Sequence, residues 1–252
     1  MKKKIATEAH QFALFYEPCS TLFGKAGMHV DLNDPPLVHR IARVLRLAVG
    51  ETCILFDRKQ HAQVRVVQID KKNVSVVVEQ IKQNRIIKPE ITCYVPLLKK
   101  EALEQALYAC VELGATQVQL IKTHKVHRVY SSKELDHARA CMIAAAEQSK
   151  NVVFPVLDEI RDFNDVVQHL STHPTIFCDP TGKPLLEVLN TLHADKPAHV
   201  GIMIGPEGDL TAEEKELLVQ NKVIFCKLTP TILRAQDALV VAVGALRSSL
   251  RE

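Results

Sequence analysis

Residues 199–250 read HVGIMIGPEGDLTAEEKELLVQNKVIFCKLTPTILRAQDALVVAVGALRSSL, and the reading of this run decides the fold. Val200 to Ile204 is a short apolar stretch halted by Gly205-Pro206-Glu207-Gly208, the pattern of a buried strand entering a turn. Glycine suits backbone that turns with positive φ or comes close to a ligand. Thr211 followed three residues later by Glu214 forms a capping box, so a helix is expected to start there with its free N–H groups beside the glycine turn. A second apolar strand, Val223 to Leu228, reaches Thr229-Pro230, and a long apolar helix follows with Arg234 in its first turn. Two such strand exits, one glycine-rich and one bearing an arginine, build a site at the carboxyl edge of an α/β sheet.

Working outward, the same alternation extends upstream. Ile91 to Leu97 reads as a strand, Lys99 to Leu113 as a helix closed by Gly114, and Gln117 to Ile121 as a strand. Helices are expected over Ser131–Ser149, Asp162–Leu170 and Pro184–Leu192, with a strand at Pro174–Cys178. Strands alternating with helices imply a mostly parallel sheet covered on both faces. The polar stretch KQNRIIKPE, residues 82–90, marks a boundary, which divides the chain into domains 1–82 and 83–252.

The first domain is strand-rich. Gly27–Leu32, Thr52–Asp57, Ala62–Asp70 and Val74–Gln80 are short β-branched or alternating segments separated by turn residues, the pattern of a small barrel. Between them, Pro35 to Leu47 reads as one helix with Val38, Ile41 and Leu45 inward and Arg40, Arg43 and Arg46 recurring at intervals of three. Such a row is either a solvated face or a phosphate-contacting one, for which arginine's fixed fork of donors is well suited.

Net charge is +3, but its distribution is uneven: residues 1–85 hold 14 lysines and arginines against 8 acids, and residues 86–252 hold 18 against 21. A basic half beside a mildly acidic one points to a polyanion as the partner of the first. The start, MKKKIATEAHQF, has the charge of a signal peptide without its apolar segment, and no run approaches a membrane span. A cytoplasmic protein is therefore expected. Seven scattered cysteines with no CxxC fit reduced core residues, and His124-x-x-His127 after a strand, lacking a third ligand, reads as a polar loop rather than a metal site. No lysine-bearing phosphate loop is present, which argues against nucleotide hydrolysis.

IGPEG followed by LxPxILRxxxA resembles the two C-terminal motifs of the RsmE family, SPOUT-class methyltransferases that use S-adenosylmethionine to methylate N3 of a uridine in bacterial small-subunit ribosomal RNA. RVLRLAVGE with ILFD, ACVELGATQVQLI, and AAAEQSKNVVFPVL are similar to further family segments in the family's order. The resemblance implies a PUA-like RNA-binding β-barrel followed by a SPOUT domain with a deep trefoil knot, and a homodimer formed through that domain. It implies that the donor is held by Cys178, Asp179, Gly205, Pro206, Glu207, Gly208, Leu228, Thr229, Ile232 and Leu233, that Arg234 and Glu207 are the catalytic candidates, and that Arg40, Arg43 and Arg46 bind RNA, with no metal and no membrane. The RNA partner that the resemblance implies is small-subunit ribosomal RNA, naked or within an assembled 30S particle. The chain departs from the family pattern at Asp209 and Thr229, where glycines are usual, at Gln236 for glutamate, and at Asn151 for a basic residue. Two functions from different classes follow: an active methyltransferase, or an RNA-binding or ribosome-assembly protein on the same scaffold.

Overall fold

The computed structural model describes residues 11–250; residues 1–10, most of the basic start, lie outside the described residues. The chain forms two compact units, one of residues up to Arg85 together with Ala146–Val153, the other of Ile86–Ala145 and Phe154–Glu252.

The first unit is a five-stranded sheet of order β1-β3-β4-β5-β2, in which β1 (Phe12–Phe15) lies parallel to β3 (Thr52–Phe56) and the remaining pairs are antiparallel. β2 is His29–Leu32, β4 is Gln60–Ile69 and β5 is Val74–Gln83. Two register shifts in the β4–β5 ladder mark bulges, which bend paired strands. Leu14, Leu32, Leu55, Val64 and Val76 from all five strands meet in one core, joined by Cys19 of the short helix α1 (Cys19–Leu22). β5 carries on to Gln83, so the first residues of the expected linker are strand.

The expected helix over Pro35–Leu47 is shorter and irregular. α2 spans Pro35–His39, capped by the Asp34 side chain accepting from the Leu37 N–H, and Arg40–Val44 then forms a wide π turn. The wider turn keeps Ile41 and, beyond it, Leu47 in the core, and Arg46 leaves the helix in the left-handed conformation at φ 53°. The expected face of three evenly spaced arginines does not form, because one extra residue in the turn breaks the period.

The second unit carries a parallel sheet of order β12-β10-β11-β6-β7-β8. In chain order the elements are β6 (Glu90–Pro96), α3 (Lys100–Glu112), β7 (Gln117–Lys122), α4 (Ser132–Ser149), β8 (Val156–Leu157), β9 (Arg161–Asp162), α5 (Phe163–Val167), β10 (Thr175–Pro184), α6 (Leu185–Asp195), β11 (His199–Met203), α7 (Ala212–Gln220), β12 (Ile224–Lys227) and α8 (Ala235–Ser249). The single helix expected over Asp162–Leu170 is α5 followed by a 3-10 turn at Leu170–Thr172. One face of the sheet packs Tyr94, Phe177 and Met203 against Phe163 and Val166 of α5 and Leu218 of α7. Gly114 closes α3 at φ 75°, and its carbonyl accepts from Arg247 near the end of α8. No helix among the described residues is long and apolar enough to cross a membrane.

Candidate active site

The carboxyl ends of β6, β10, β11 and β12 converge on one cavity of about 670 Å³, a size that suits a small-molecule ligand. Of the ten residues expected to hold a donor, nine line it: Cys178, Asp179, Gly205, Pro206, Glu207, Leu228, Thr229, Ile232 and Leu233. Gly208 does not; it sits beside the cavity, its carbonyl accepting from Lys125 Nζ at 2.9 Å. Arg234 lines the cavity as the N-cap of α8, one residue ahead of the first turn in which it was expected. It is exposed, and its guanidinium has no hydrogen-bond or ion-pair partner among the described residues.

The glycine turn is held from several sides. The capping box at Thr211 is complete, with Glu214 accepting from the Thr211 N–H at 2.8 Å and the Thr211 hydroxyl accepting from the Glu214 N–H. The other Glu214 oxygen accepts from the His124 N–H, so one carboxylate joins α7 to the loop after β7. Glu207 accepts from the Lys99 N–H at 3.1 Å, which ties the turn to the start of α3. Neither Gly205 nor Gly208 has positive φ; the left-handed residue is Asp209, at φ 57°. That is the position where glycine would be least strained. Asp accepts it by bonding locally, its carboxylate taking the Leu210 N–H at 2.8 Å.

Sequence reading missed three residues that shape the site. Lys215 of α7 donates to Asp179 at 2.8 Å and to Asp209 at 2.7 Å, stapling the loop that interrupts β10 to the turn after β11. Burial pushes the Asp179 carboxyl up, but hydrogen bonds from Lys215 and Thr181 outweigh it and hold the group below the ordinary carboxylate range. Burial lowers Lys215, and the bonds to Asp179 and Asp209 outweigh that and raise it, so both partners stay charged at neutral pH. Gly182 is the second. Cys178 and Lys183 both pair with Cys226, so residues 179–182 loop out of β10. A Cβ on Gly182 would collide with the Cys226 backbone nitrogen and the Phe225 carbonyl carbon, and would stand 2.5 Å from the Phe225 carbonyl oxygen. The third is Gln105 of α3, which lines the cavity and accepts from Gln236 at 3.3 Å.

The cavity's two thiols are not nucleophiles. Burial pushes Cys226 up to about 11 and Cys178 higher still, so both are neutral at physiological pH. His124 and His127 stand in the exposed loop after β7, and no cluster of metal-ligating side chains occurs among the described residues.

In the first unit, Arg40 forms a two-pronged ion pair with Glu147, one nitrogen at 2.7 Å, and the same carboxylate accepts from the Phe15 N–H. Arg43 and Arg46 are exposed and have no partner among the described residues.

Residues 86–247 match the model of an RNA methyltransferase domain, and residues 32–79 match that of an RNA methyltransferase PUA domain. The chain belongs to this RNA methyltransferase family. It is 26% identical to the ribosomal RNA small subunit methyltransferase E of Rickettsia conorii over 86% of this chain and 89% of that one. The Bacillus subtilis protein of the same name is also 26% identical, covering 83% and 86%. Two solved structures share the fold: a ribosomal RNA small subunit methyltransferase E from Neisseria gonorrhoeae bound to S-adenosyl methionine (TM-score 0.83, 20% identity, 95% and 98% covered) and a putative Legionella pneumophila methyltransferase in complex with SAM (0.81, 21%, 94% and 97%). The RsmE resemblance read from the GPEG and ILR motifs agrees with these matches.

Proposed function

We propose that the protein is an S-adenosylmethionine-dependent methyltransferase acting on N3 of a uridine in bacterial small-subunit ribosomal RNA. The observation that carries this reading is the cavity at the carboxyl edge of the parallel sheet, with an unpartnered arginine at its wall. The residues fit the donor: Gly205 exposes backbone on the cavity wall with ordinary clearance around it, and Glu207 would offer a carboxylate to a cationic sulfonium, while the charges of Asp179 and Asp209 are already met by Lys215. When bound, the donor supplies an electrophilic methyl with its own leaving group.

The chain's own residues have a limited task. Uracil N3 becomes nucleophilic as its proton passes to solvent, and negative charge spreads onto the two flanking carbonyl oxygens. Arg234 presents a fork of donors to that charge, and preorganised donors of this kind contribute about 3–4 kcal/mol. Glu207 both lines the cavity and fixes the turn through the Lys99 N–H. Arg43 and Arg46 are available for RNA phosphates in the PUA-like unit, while Arg40 exchanges Glu147 for a phosphate only if that ion pair opens. The reading includes the trefoil threading of the last strand and helix and a homodimer through the second unit. Ile232, 84% exposed, and Val240, 43% exposed, supply apolar surface for that interface.

Mass analysis of small-subunit RNA from cells with and without the gene tests the reaction. Loss of one N3-methyluridine is expected, and an unchanged profile would favour the assembly-protein function. The staple makes a second expectation. Lys215→Met leaves Asp179, whose side chain is 2% exposed, without its cation, a loss of about 1–3 kcal/mol. Donor affinity measured by calorimetric titration is expected to fall roughly tenfold, the equivalent of about 1.4 kcal/mol. Asp209→Gly removes an exposed partner and the local bond to the Leu210 N–H but relieves the positive φ, so its donor affinity is expected to stay within about threefold of the parent. Equal effects of the two substitutions would show that Lys215 acts through Asp209 alone.

A further inference from the structure

The last residue of β7 and the segment that follows it, residues 122–133 with the sequence KTHKVHRVYSSK, hold four lysines and arginines, two histidines and no acid. It belongs to the half of the chain in which acids outnumber bases, so its composition is opposite to its surroundings. It leaves the carboxyl end of β7, the same edge that carries the cavity, yet none of its residues lines that cavity. The segment is braced by one backbone and two side-chain donors. The His124 N–H donates to Glu214, Lys125 Nζ donates to the Gly208 and Leu210 carbonyls, and the Tyr130 hydroxyl donates to the Leu98 carbonyl at 2.7 Å. Arg128 is committed to Glu134 and to the face of Tyr130. Lys122, His127 and Lys133 are exposed with no ion-pair partner among the described residues. Lys133 also borders a hollow of about 330 Å³ shared with Lys100 and His137, whose two acids are already paired, Glu104 with Lys100 and His137 and Glu134 with Arg128.

We infer that this braced basic loop is a second RNA-contacting surface, in which Lys122 and Lys133 take backbone phosphates of the substrate strand beside the methyl-transfer cavity. The inference rests on the RNA methyltransferase reading and adds a contact surface within the catalytic unit. Its physical basis is that cations held on a fixed backbone release counterions from a polyanion without first ordering the loop. Because Lys125 props the Gly208 carbonyl, the loop also couples RNA contact to the glycine turn through one side chain.

The test uses the full chain and a transcript of small-subunit ribosomal RNA. The double variant Lys122→Gln/Lys133→Gln is expected to lose about 1.4 from the slope of log affinity against log salt, about 0.7 for each single-strand phosphate contact. Donor affinity and melting temperature are expected to match the parent. The control removes two exposed lysines from the opposite, amino edge of the sheet, Lys196→Gln/Lys222→Gln, ahead of β11 and β12, and its slope is expected to be parental. A parental slope in the first variant, or equal losses in both, would overturn the inference. So would a loss seen only on assembled 30S particles and not on naked RNA, which would assign the loop to a ribosomal protein. If the parent binds no donor, the methyltransferase reading fails while the slope comparison still decides the role of the loop.

Discussion

Replacing Gly182 with alanine is expected to lower the melting temperature by roughly 6–12 °C and to abolish donor binding. The added methyl has no side chain to push aside, because the atoms it meets are backbone of Phe225 and Cys226. Relief requires β12 to move away from β10, which opens the edge of the sheet from which Cys226 and Leu228 reach the cavity. Overpacking typically costs about 1–3 kcal/mol, and contact with backbone that has no flexible end to yield puts this site at the top of that range, about 3 kcal/mol; each kcal/mol shifts the melting point of a chain this size by about 2–4 °C. Gly205→Ala is the contrast. Its methyl would stand 3.6 Å from an Asp209 carboxylate oxygen and 3.8 Å from the Phe177 ring, both ordinary contacts, so melting is expected to be parental while donor affinity falls about tenfold. Scanning calorimetry and donor titration separate the two, and a Gly182→Ala protein that melts with the parent would contradict the close crossing of β10 and β12.

That contrast shows what was legible in the sequence. The capping box at Thr211 and Glu214, the αL stop at Gly114 and the parallel alternation are local signals, and each is present as read. The glycines of GPEG were readable as a motif but not in their geometry, since the left-handed position fell on Asp209. Gly182 lies in DPTGKP, which has the composition of an ordinary turn; its requirement comes from a strand more than forty residues later in the chain. Lys215 in AEEKELL looks like a solvated helix charge until the fold brings Asp179 under it. β1 escaped notice because its partner β3 is non-local and parallel, and Arg46 was misplaced because a π turn leaves no periodic trace. Interactions within a few residues are written in the sequence pattern, while those made across the sheet depend on the packing of distant segments.

Arg234→Ala is expected to fold, to bind donor with near-parental affinity, and to lose turnover by roughly 10²–10³-fold. The guanidinium stands at the cavity wall without a partner of its own, so its removal leaves no buried acid uncompensated and little stability at risk. What is lost is a preorganised donor aimed at charge that develops during methyl transfer, and one such donor accounts for a change of that size. Lysine is expected to restore little, because a single ammonium cannot reproduce the planar fork. Gln236, two residues on, provides the internal comparison. Its amide donates to Gln105, and after Gln236→Glu the Gln105 amide can turn and donate to the new carboxylate, so the contact survives and turnover is expected to change by less than about tenfold. Single-turnover rates at saturating donor measure the chemical step directly. Near-parental turnover in Arg234→Ala, together with a large change in Gln236→Glu, would move the charge-stabilising role from the N-cap of α8 to its first turn.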